Sequence, residues 1–544
     1  MKIKLDKKTL LSGIEELKKR ISKEVLPFEN DTPSLQRQRI KKCKKDLKEF
    51  AKTYFPHYLS SPPSELHEYL FSNYVQIILS SAPKRFAVAA PRGNAKSTIT
   101  SLILPIWCIC YNYKHFIAIF SNSFTQAAEF LEFIKAELEA NERLKHDFPD
   151  VASEGPVWQF GHIITNNMVK IKAWGVRQKL LGARHLQYRP DLCIYDDLED
   201  PEELLNPENR KKTEKWFFDK AFNIGDVSYT DHIAVGTIHH EDCLLKKLIS
   251  RFGGKIFKSV IKWSTSPLWE RWEEIYAQDT TENKRIAKRF FKKHKEQMLK
   301  GTEVLWPEKE DYYTLMCLRQ DIGPHAFDCA KQNDPSESSM FSEEWLEKWA
   351  YEESEIIGKN LIFFASCDPS MGKTFGAPSA IIILGKEISS AICYVIVADI
   401  KKRHPDQIIE DLIEYQITYR CINWAFEVVQ LQEYLKDRLV LEAGKRGVPF
   451  PINPIRPKAD KDIRIQSLQP YLSNGIIRFP RKMKAGRDNP LNLWHQLKNY
   501  PKAMYKDGPD ALEMAFSQAV TFSMSSVKSA KRRESKNILQ GYWT

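Results

Sequence analysis

Ala89-Ala90-Pro91-Arg92-Gly93-Asn94-Ala95-Lys96-Ser97-Thr98 follows the apolar run Phe86-Ala87-Val88-Ala89 and opens a longer one from Ser97 to Tyr111. A short apolar run, a Gly-bearing turn and a longer periodic run read as strand, loop and helix. A phosphate-binding loop needs inward-turned backbone N–H groups, a Lys for the terminal phosphates and a hydroxyl for a metal ion. Lys96 and Ser97 supply the last two at a helix start, where the dipole favours anions. The common pattern carries Gly six residues before the Lys and one before it; here those positions are Ala90 and Ala95, and Gly93 remains. About 100 residues on, Leu192-Cys193-Ile194-Tyr195-Asp196-Asp197 answers the loop. A strand ending in Asp196 offers a carboxylate for the Mg2+ that Ser97 also touches, and Asp197 can orient or deprotonate water. Without the loop, Asp196, Asp197, Glu199 and Asp200 would read as a solvated acidic turn; coupled to it, they read as its partner.

At 544 residues the chain exceeds one core, so two or three domains are expected. The contents of 42% hydrophobic and 28% charged residues are those of a soluble globular protein. The balance of 82 Lys+Arg against 70 Asp+Glu, a net +12, suits a polyanionic partner without requiring one. The ten Cys are scattered with no CxxC pair, the usage of a reducing compartment. His239, His240 and Cys243 do not have tetrahedral zinc spacing. The longest apolar run, Leu102 to Cys110, is far short of the ~20 residues that span a bilayer. The charged N-terminus shows no secretory signal. A cytoplasmic protein with no membrane partner is expected.

Residues 1–58 read as a basic, solvated helical arm, with Leu10, Ile14, Leu17 and Ile21 at helical spacing. Residues 59–250 alternate strands and helices, which implies a mostly parallel sheet flanked by helices. Its further strands are Phe116 to Phe120, Val169 to Ala173, Leu192 to Tyr195 and His232 to Val235, with a helix from Ser123 to Glu139. Residues 251–355, rich in Lys, Glu and Trp, read as a helical linker or subdomain. A second alternation fills 356–524, and 525–544 form a loose basic tail. In the second alternation, strands Leu361 to Ser366, Ala380 to Leu384 and Cys393 to Ala398 precede a helix, Asp406 to Arg420, and a strand, Trp424 to Phe426. Three strands, a helix and a fourth strand are the opening order of a ribonuclease-H-like sheet.

Two-metal phosphodiester hydrolysis needs carboxylates converging from different strands onto ions roughly 4 Å apart. Asp368 and Glu427 each end a strand, and Asp507 and Asp510 open a helix. Singly, each acid reads as a cap or a solvated turn. Together at one sheet edge they can hold metal ions.

The sequence from Pro91 to Thr98, the pair Asp196-Asp197, and Val235-Gly236-Thr237-Ile238-His239-His240-Glu241-Asp242 together resemble the large terminase subunits of tailed bacteriophages. Phe327 to Pro335, Lys461 to Pro470, Gly475 to Phe479 and Asp507-Gly508-Pro509-Asp510-Ala511-Leu512 extend the resemblance across residues 60 to 520. It implies a P-loop ATPase domain and a ribonuclease-H-like nuclease domain. ATP would lie against Arg92, Gly93, Asn94, Ala95, Lys96, Ser97 and Thr98, with Mg2+ on Ser97 and Asp196. Asp197, or Glu199 in its place, would serve the attacking water, since many relatives carry Glu after the metal Asp. Thr237 belongs to the family's coupling motif. Arg177 and Arg184 are candidates for an arginine completing the γ-phosphate site, and read equally well as loop arginines facing DNA or solvent. In the nuclease, Asp368, Glu427, Asp507 and, as second choice, Asp510 would hold two Mg2+ or Mn2+. Pro378 stands where relatives often carry a further Asp. Arg456, Lys458, Lys461, Arg464, Arg481, Lys482 and Lys484 are candidates for phosphate contact. The resemblance implies double-stranded DNA, a portal protein, a small terminase subunit and a ring of copies as partners, in the host cytoplasm and at the procapsid portal vertex. Two rivals remain: a helicase–nuclease of repair or defence, and a non-hydrolysing DNA-binding assembly protein, which Ala90 and Ala95 suggest.

Overall fold

The computed structural model describes residues 7–180, 183–204, 206–277, 281–335, 340–369, 378–427, 430–455, 460–501 and 503–522. Arg456, Lys458, the turn Ser370-Met371-Gly372 and the tail 525–544 lie outside them. The chain divides into two units. Unit 1 holds Met1–Ser264, Gly301–Cys317 and Ala326–Ser336; unit 2 holds Thr265–Lys300, Leu318–His325 and Glu337–Thr544. The stretch expected as one helical linker is therefore shared between the two.

Among the described residues, unit 1 carries eight strands in one sheet. They are β1 (Arg85–Ala89), β2 (Phe116–Ser121), β3 (Val157–Gln159), β4 (His162–Ile164), β5 (Lys170–Gly175), β6 (Leu192–Asp196), β7 (Asp231–Gly236) and β8 (Gly254–Ile256). Their spatial order is β3-β4-β5-β2-β6-β7-β1-β8. The run from β5 to β8 is parallel, and β3–β4–β5 is an antiparallel edge. β2, β6 and β7 are buried along their whole length, as parallel strands covered on both faces must be. Side chains alternate between two cores. Val88, Ile119, Ile194 and Val235 face one, Ala89, Phe120, Tyr195 and Ala234 the other. The order sets β7 between the loop strand β1 and the acid strand β6, so three carboxyl ends stand side by side. The helix expected from Ser97 begins as a wide π turn, Thr98–Ile103, and becomes an α-helix at Leu104–Tyr111. Pro105 explains the difference: its ring would meet the carbonyl four residues back in a regular helix.

The N-terminal arm is not the solvated element its charge predicts. Cys43, Leu47, Phe50, Ala51 and Tyr54 are fully buried in the core of unit 1. The helix Leu47–Tyr54 carries its charge outward and its apolar stripe inward, and the helix Pro33–Lys45 buries Cys43. Arg39 clamps them, pairing with Asp147 at 2.6 Å and Asp31 at 2.8 Å. The Tyr54 hydroxyl donates to Asp147 at 2.6 Å.

Unit 2 is built on a sheet of β11 (Leu361–Asp368), β12 (Ser379–Glu387), β13 (Cys393–Lys401), β14 (Asn423–Glu427), β15 (Ile452–Ile455) and β16 (Ile477–Arg478), in the order β15-β14-β11-β12-β13-β16. (Two short strands of unit 1, β9 at Val260–Lys262 and β10 at Glu303–Val304, pair with each other.) The β11–β12–β13 meander is antiparallel, and β14 returns parallel to β11 after the helix Pro405–Tyr419. This is the ribonuclease-H-like arrangement. The helix Asp507–Thr521 covers one face, packing Leu512, Ala515 and Phe516 on Ile382, Leu384 and Ala425.

Asp147 tests whether the arm belongs to the core. Burial raises its carboxyl, but hydrogen bonds from Arg39, Tyr54 and His146 outweigh burial and hold it below the usual 3.8. Replacing it with Ala should cost about 3 kcal/mol in urea unfolding, since one partner of a buried charge pair is lost. Because the folded pKa is depressed, this contribution is present above about pH 4 and is lost as pH falls through the folded value. An unchanged urea midpoint would contradict the arm's place in the core.

Candidate active sites

The loop after β1 turns through positive φ at Gly93 (82°) and Ala95 (53°). The second is where the common pattern has Gly; an Ala there costs roughly 1–2 kcal/mol. Other residues hold it in place. His67 donates from Nε2 to the Asn94 carbonyl at 3.0 Å and accepts the Ser64 N–H on Nδ1. The Arg92 N–H donates to Ala330, and Lys331 Nζ donates to the Arg92 carbonyl at 2.7 Å while pairing with Glu310 at 2.5 Å. Asn333 accepts the Ile238 N–H at 2.8 Å and donates to the Phe257 carbonyl.

Asp196 ends β6 with 1% of its surface exposed. Its two oxygens accept the hydroxyls of Ser97 at 2.9 Å and Ser101 at 2.6 Å. Burial raises its pKa and the Asp197 charge adds to this; Lys96 and the two hydroxyls oppose. Asp197 takes a left-handed φ of 44° and pairs with Lys96 Nζ at 3.1 Å. Its other oxygen accepts the Thr237 N–H at 3.1 Å. Gly236 makes this approach possible, since a Cβ there would lie 3.0 Å from Asp197 Oδ1. The Thr237 hydroxyl donates to the Ala90 carbonyl at 3.1 Å, closing a circuit of loop, β6 and β7. Thr98 opens the π turn, half-buried, and Arg92 is exposed. Glu199 stands apart. Its carboxylate accepts the Leu244 and Leu245 N–H groups at 2.9 and 3.2 Å, capping the helix Leu244–Phe252, and burial raises its pKa.

The two candidate arginines also separate. Arg177 pairs with Glu203 at 2.9 Å and donates to Thr213 at 3.1 Å. It follows β5, four strands from β1, or about 19 Å at ~4.8 Å per strand. Arg184 is exposed, and its side chain makes no ion pair among the described residues.

In unit 2, Asp368 ends β11, Glu427 ends the neighbouring β14, and Asp507 and Asp510 lie in the first turn of the helix against them. Two cations tie them together. Lys461 Nζ lies 3.1 Å from Asp368, 2.9 Å from Asp507 and 3.4 Å from Asp510. Arg464 Nη2 lies 3.0 Å from Asp510 and 3.5 Å from Glu427. Burial raises the Asp368 carboxyl and pushes that of Asp510 to about 7, with Lys461 opposing in both. The Lys461 ammonium is desolvated, yet the three carboxylates raise its pKa.

Lys461 and Arg464 thus face the acids, where the sequence suggested contact with phosphate. Arg481, Lys482 and Lys484 are likewise paired, with Glu352, Glu353 and Glu347. Pro378 immediately precedes β12.

Donor chemistry decides whether a metal ion fits. Ser97 and Asp196 offer hard oxygens on one centre, suited to Mg2+. The four acids of unit 2 do the same, and Asp510 Oδ1 is buried without a hydrogen bond. Among the described residues, no three of these four acids bring ligand oxygens within 4.8 Å of one another; Asp31, His146 and Asp147 do, around the Arg39 guanidinium. Lys461 takes the shared position among Asp368, Asp507 and Asp510.

Ser101 was legible in principle, one helical turn beyond Ser97. The roles of His67 and Lys331 were not, since nothing local links them to the loop.

The chain matches no family model and no curated protein. Among solved structures it is similar to the large terminase of the thermophilic bacteriophage D6E, at 10% identity and a TM-score of 0.36, over 82% of this chain and 98% of that one. It is similar to the human cytomegalovirus terminase nuclease domain at 11% identity and a TM-score of 0.27, over 33% of this chain and 95% of that one. For the large terminase nuclease of the thermophilic phage G20c with bound magnesium, the identity is 15% and the TM-score 0.24, over 34% of this chain and 99% of that one. At these identities and scores the likeness assigns no chemistry to any residue.

Lys461→Ala leaves Asp368, Asp507 and Asp510 without their common cation. Unit 2 should lose about 1 kcal/mol at neutral pH, because the Lys461 side chain is 36% exposed and water screens its pairing. Denaturant unfolding followed by tryptophan fluorescence checks it; wild-type stability would show that the ammonium does not hold the cluster.

Proposed function

We propose that unit 1 binds and hydrolyses ATP and that unit 2 cuts DNA, the two serving as a viral DNA-packaging motor with its nuclease. The motor is assigned to residues 59–250 and the nuclease to 356–524. The observation that supports the ATP half best is the double tie of Ser97 and Ser101 to Asp196, with Lys96 held beside them on Asp197. Positive φ at Gly93 and Ala95 is the backbone form of an anion nest. Lys96 would exchange Asp197 for the terminal phosphates. Mg2+ held by Ser97 and Asp196 would offset the charge that develops on those phosphates. Asp197, released from Lys96, would orient the attacking water and accept its proton. Glu199 is less suited because it caps a helix. Thr237 would relay the state of Asp197 to the loop through Ala90. Arg184, exposed and without an ion pair among the described residues, is better fitted than Arg177 to reach a nucleotide on a neighbouring copy.

In unit 2, Asp368, Glu427, Asp507 and Asp510 would hold two Mg2+ or Mn2+, which would supply Lewis acidity to the phosphodiester and a hydroxide nucleophile. Lys461 and Arg464 would keep the four carboxylates together in the absence of substrate. Contact with double-stranded DNA would be to phosphates and independent of sequence, as translocation requires. The motif resemblance further suggests a portal protein and a small terminase subunit as partners, a ring of copies, and work in the host cytoplasm at the procapsid portal vertex. A helicase–nuclease would unwind a forked duplex, which this protein should not do. An assembly protein would not hydrolyse ATP.

Lys96→Ala should abolish ATP hydrolysis. Asp197→Asn should retain nucleotide binding but lower turnover by roughly 10²- to 10⁴-fold, the range for loss of a general base. Glu199→Gln should turn over near the wild-type rate. Steady-state phosphate release measures all three, and the reverse order for Asp197 and Glu199 would move the base to Glu199.

Asp368→Ala should stop Mn2+-dependent cleavage of plasmid DNA while hydrolysis of ATP continues. Cleavage at the wild-type rate would remove Asp368 from the site.

A further inference from the structure

Unit 2 carries an open cleft away from its acids, of about 530 Å3, with Ile275, Ala277, Trp349, Ala391, Ile392 and Ile476 in its apolar wall. The helix Leu268–Tyr276, the turn 388–392 between β12 and β13, and the turn before β16 bound it. Its floor is fixed. The Trp349 indole lies on the backbone of Gly475, where a Cβ would come within 2.3 Å of the ring, and its Nε1 donates to the Ser473 carbonyl at 3.0 Å. The Arg478 guanidinium stands 5.6 Å from the centre of the Trp349 ring and makes no ion pair among the described residues. Ile388, on the turn between β12 and β13, is 46% exposed.

The chain leaves the helix Asp507–Thr521 beside this cleft. Lys386 Nζ donates to the Ala519 and Phe522 carbonyls at 2.7 and 3.3 Å, and the Phe522 ring meets Phe364 edge-on, centres 5.4 Å apart. Ser389, which lines the cleft, follows Lys386 by three residues, roughly 10 Å of extended chain. Lys386 pairs with Ile362 and Ala380 with Asp368, so the exit lies roughly 20 Å along β11 from the acids. Beyond Phe522 come the cations Lys528, Lys531, Arg532, Arg533 and Lys536, then Ile538-Leu539-Gln540-Gly541-Tyr542-Trp543. A tail kept only for solvation is poor in aromatic and branched apolar residues; this one gathers an Ile, a Leu, a Tyr and a Trp at its far end.

We propose that Ile538, Leu539, Tyr542 and Trp543 seat in this cleft of their own chain. Aromatic residues anchor a contact by filling a pocket and leaving water behind. A ring entering here meets the Trp349 indole and the Arg478 guanidinium, the partners that aromatic faces prefer. Residues 523–537 separate the exit from Ile538, and a flexible chain of that length spans about 20 Å. That span matches the distance to the cleft, the condition under which a tether raises effective concentration most, to about millimolar. A second copy must find the same cleft from dilute solution, so the chain's own tail holds it. The contact is independent of the chemistry proposed for either unit.

A peptide competing with the tail tests the contact. A fluorescein-labelled peptide of residues 535–544 is titrated with the full chain and followed by fluorescence anisotropy. The chain carrying Tyr542→Ala/Trp543→Ala, its own anchors removed, should bind the peptide. Wild type, with the cleft already filled, should bind it about tenfold or more weakly. A peptide carrying the same two substitutions should not bind. Adding Ile275→Asp to the double variant sets a charge in the cleft wall and should weaken the peptide about tenfold or more. Unfolding midpoints near wild type show that the variants fold, and Ala391→Trp, which narrows the cleft, replaces Ile275→Asp if that one does not. Absence of peptide binding to the double variant, or binding indifferent to the cleft substitutions, overturns the proposal. Equal binding by wild type and double variant also overturns it, leaving the cleft open to a separate partner. Sedimentation velocity reads the remaining occupant: self-association of wild type that the double variant loses gives the cleft to the tail of a second copy and overturns the contact within one chain.

Discussion

Asp196 is a carboxylate with almost no access to water, answered by two hydroxyls and no direct cation. Burying a charge with so little compensation is expensive, and the surroundings show how it is kept. Lys96 stands one residue away on Asp197, close enough to lower the Asp196 pKa without bonding to it. The arrangement exists only because β7 separates β1 from β6, which brings the loop, the acid and Thr237 to one edge. Backbone strain is spent at the same place: Ala95 and Asp197 both adopt left-handed conformations. A non-Gly residue persists there only when its neighbours over-determine it. His67 and Lys331 bond to the loop around Ala95, and Lys96 and the Thr237 N–H hold Asp197.

Unit 2 solves a related problem differently. Four carboxylates at one sheet edge repel one another, and here the protein supplies its own counterions, Lys461 and Arg464. The compensation is incomplete, since the Arg464 Nε and Nη1 atoms are buried without hydrogen bonds and Asp510 Oδ1, 3.0 Å from Arg464 Nη2, has an ion contact but no hydrogen bond. Polar groups left in that state mark a site arranged for something more than its own stability.

What was legible in the sequence follows from how local each signal is. The loop after β1, the Asp196 strand and the Asp507 helix start are each written within a dozen residues; the strands and the Asp507 helix form where the pattern puts them, while the helix expected from Ser97 begins as a π turn. The antiparallel meander followed by a parallel return could be read from strand order. The three-residue strands β3, β4 and β8 are too short to show a period. The arm's inward stripe is present in the sequence but masked: Leu47, Phe50, Ala51 and Tyr54 fall at i, i+3, i+4 and i+7, beneath a composition dominated by charge. That Lys461 and Arg464 face the acids is not legible in the sequence, because charge alone does not say which way a side chain faces. The braces on the loop come from segments some 30 and 240 residues away, a relation that only the fold creates.

The central claim is that the loop, Asp196 and Lys96 form a nucleotide site. The most direct measurement is a crystal structure of the chain with Mg2+, ADP and beryllium fluoride. The account predicts the terminal phosphate mimic against the backbone of Gly93 to Ser97, with Lys96 turned from Asp197 onto it and the ion shared by Ser97 and Asp196. A nucleotide bound elsewhere, with Lys96 still on Asp197 and both hydroxyls still on Asp196, would contradict it.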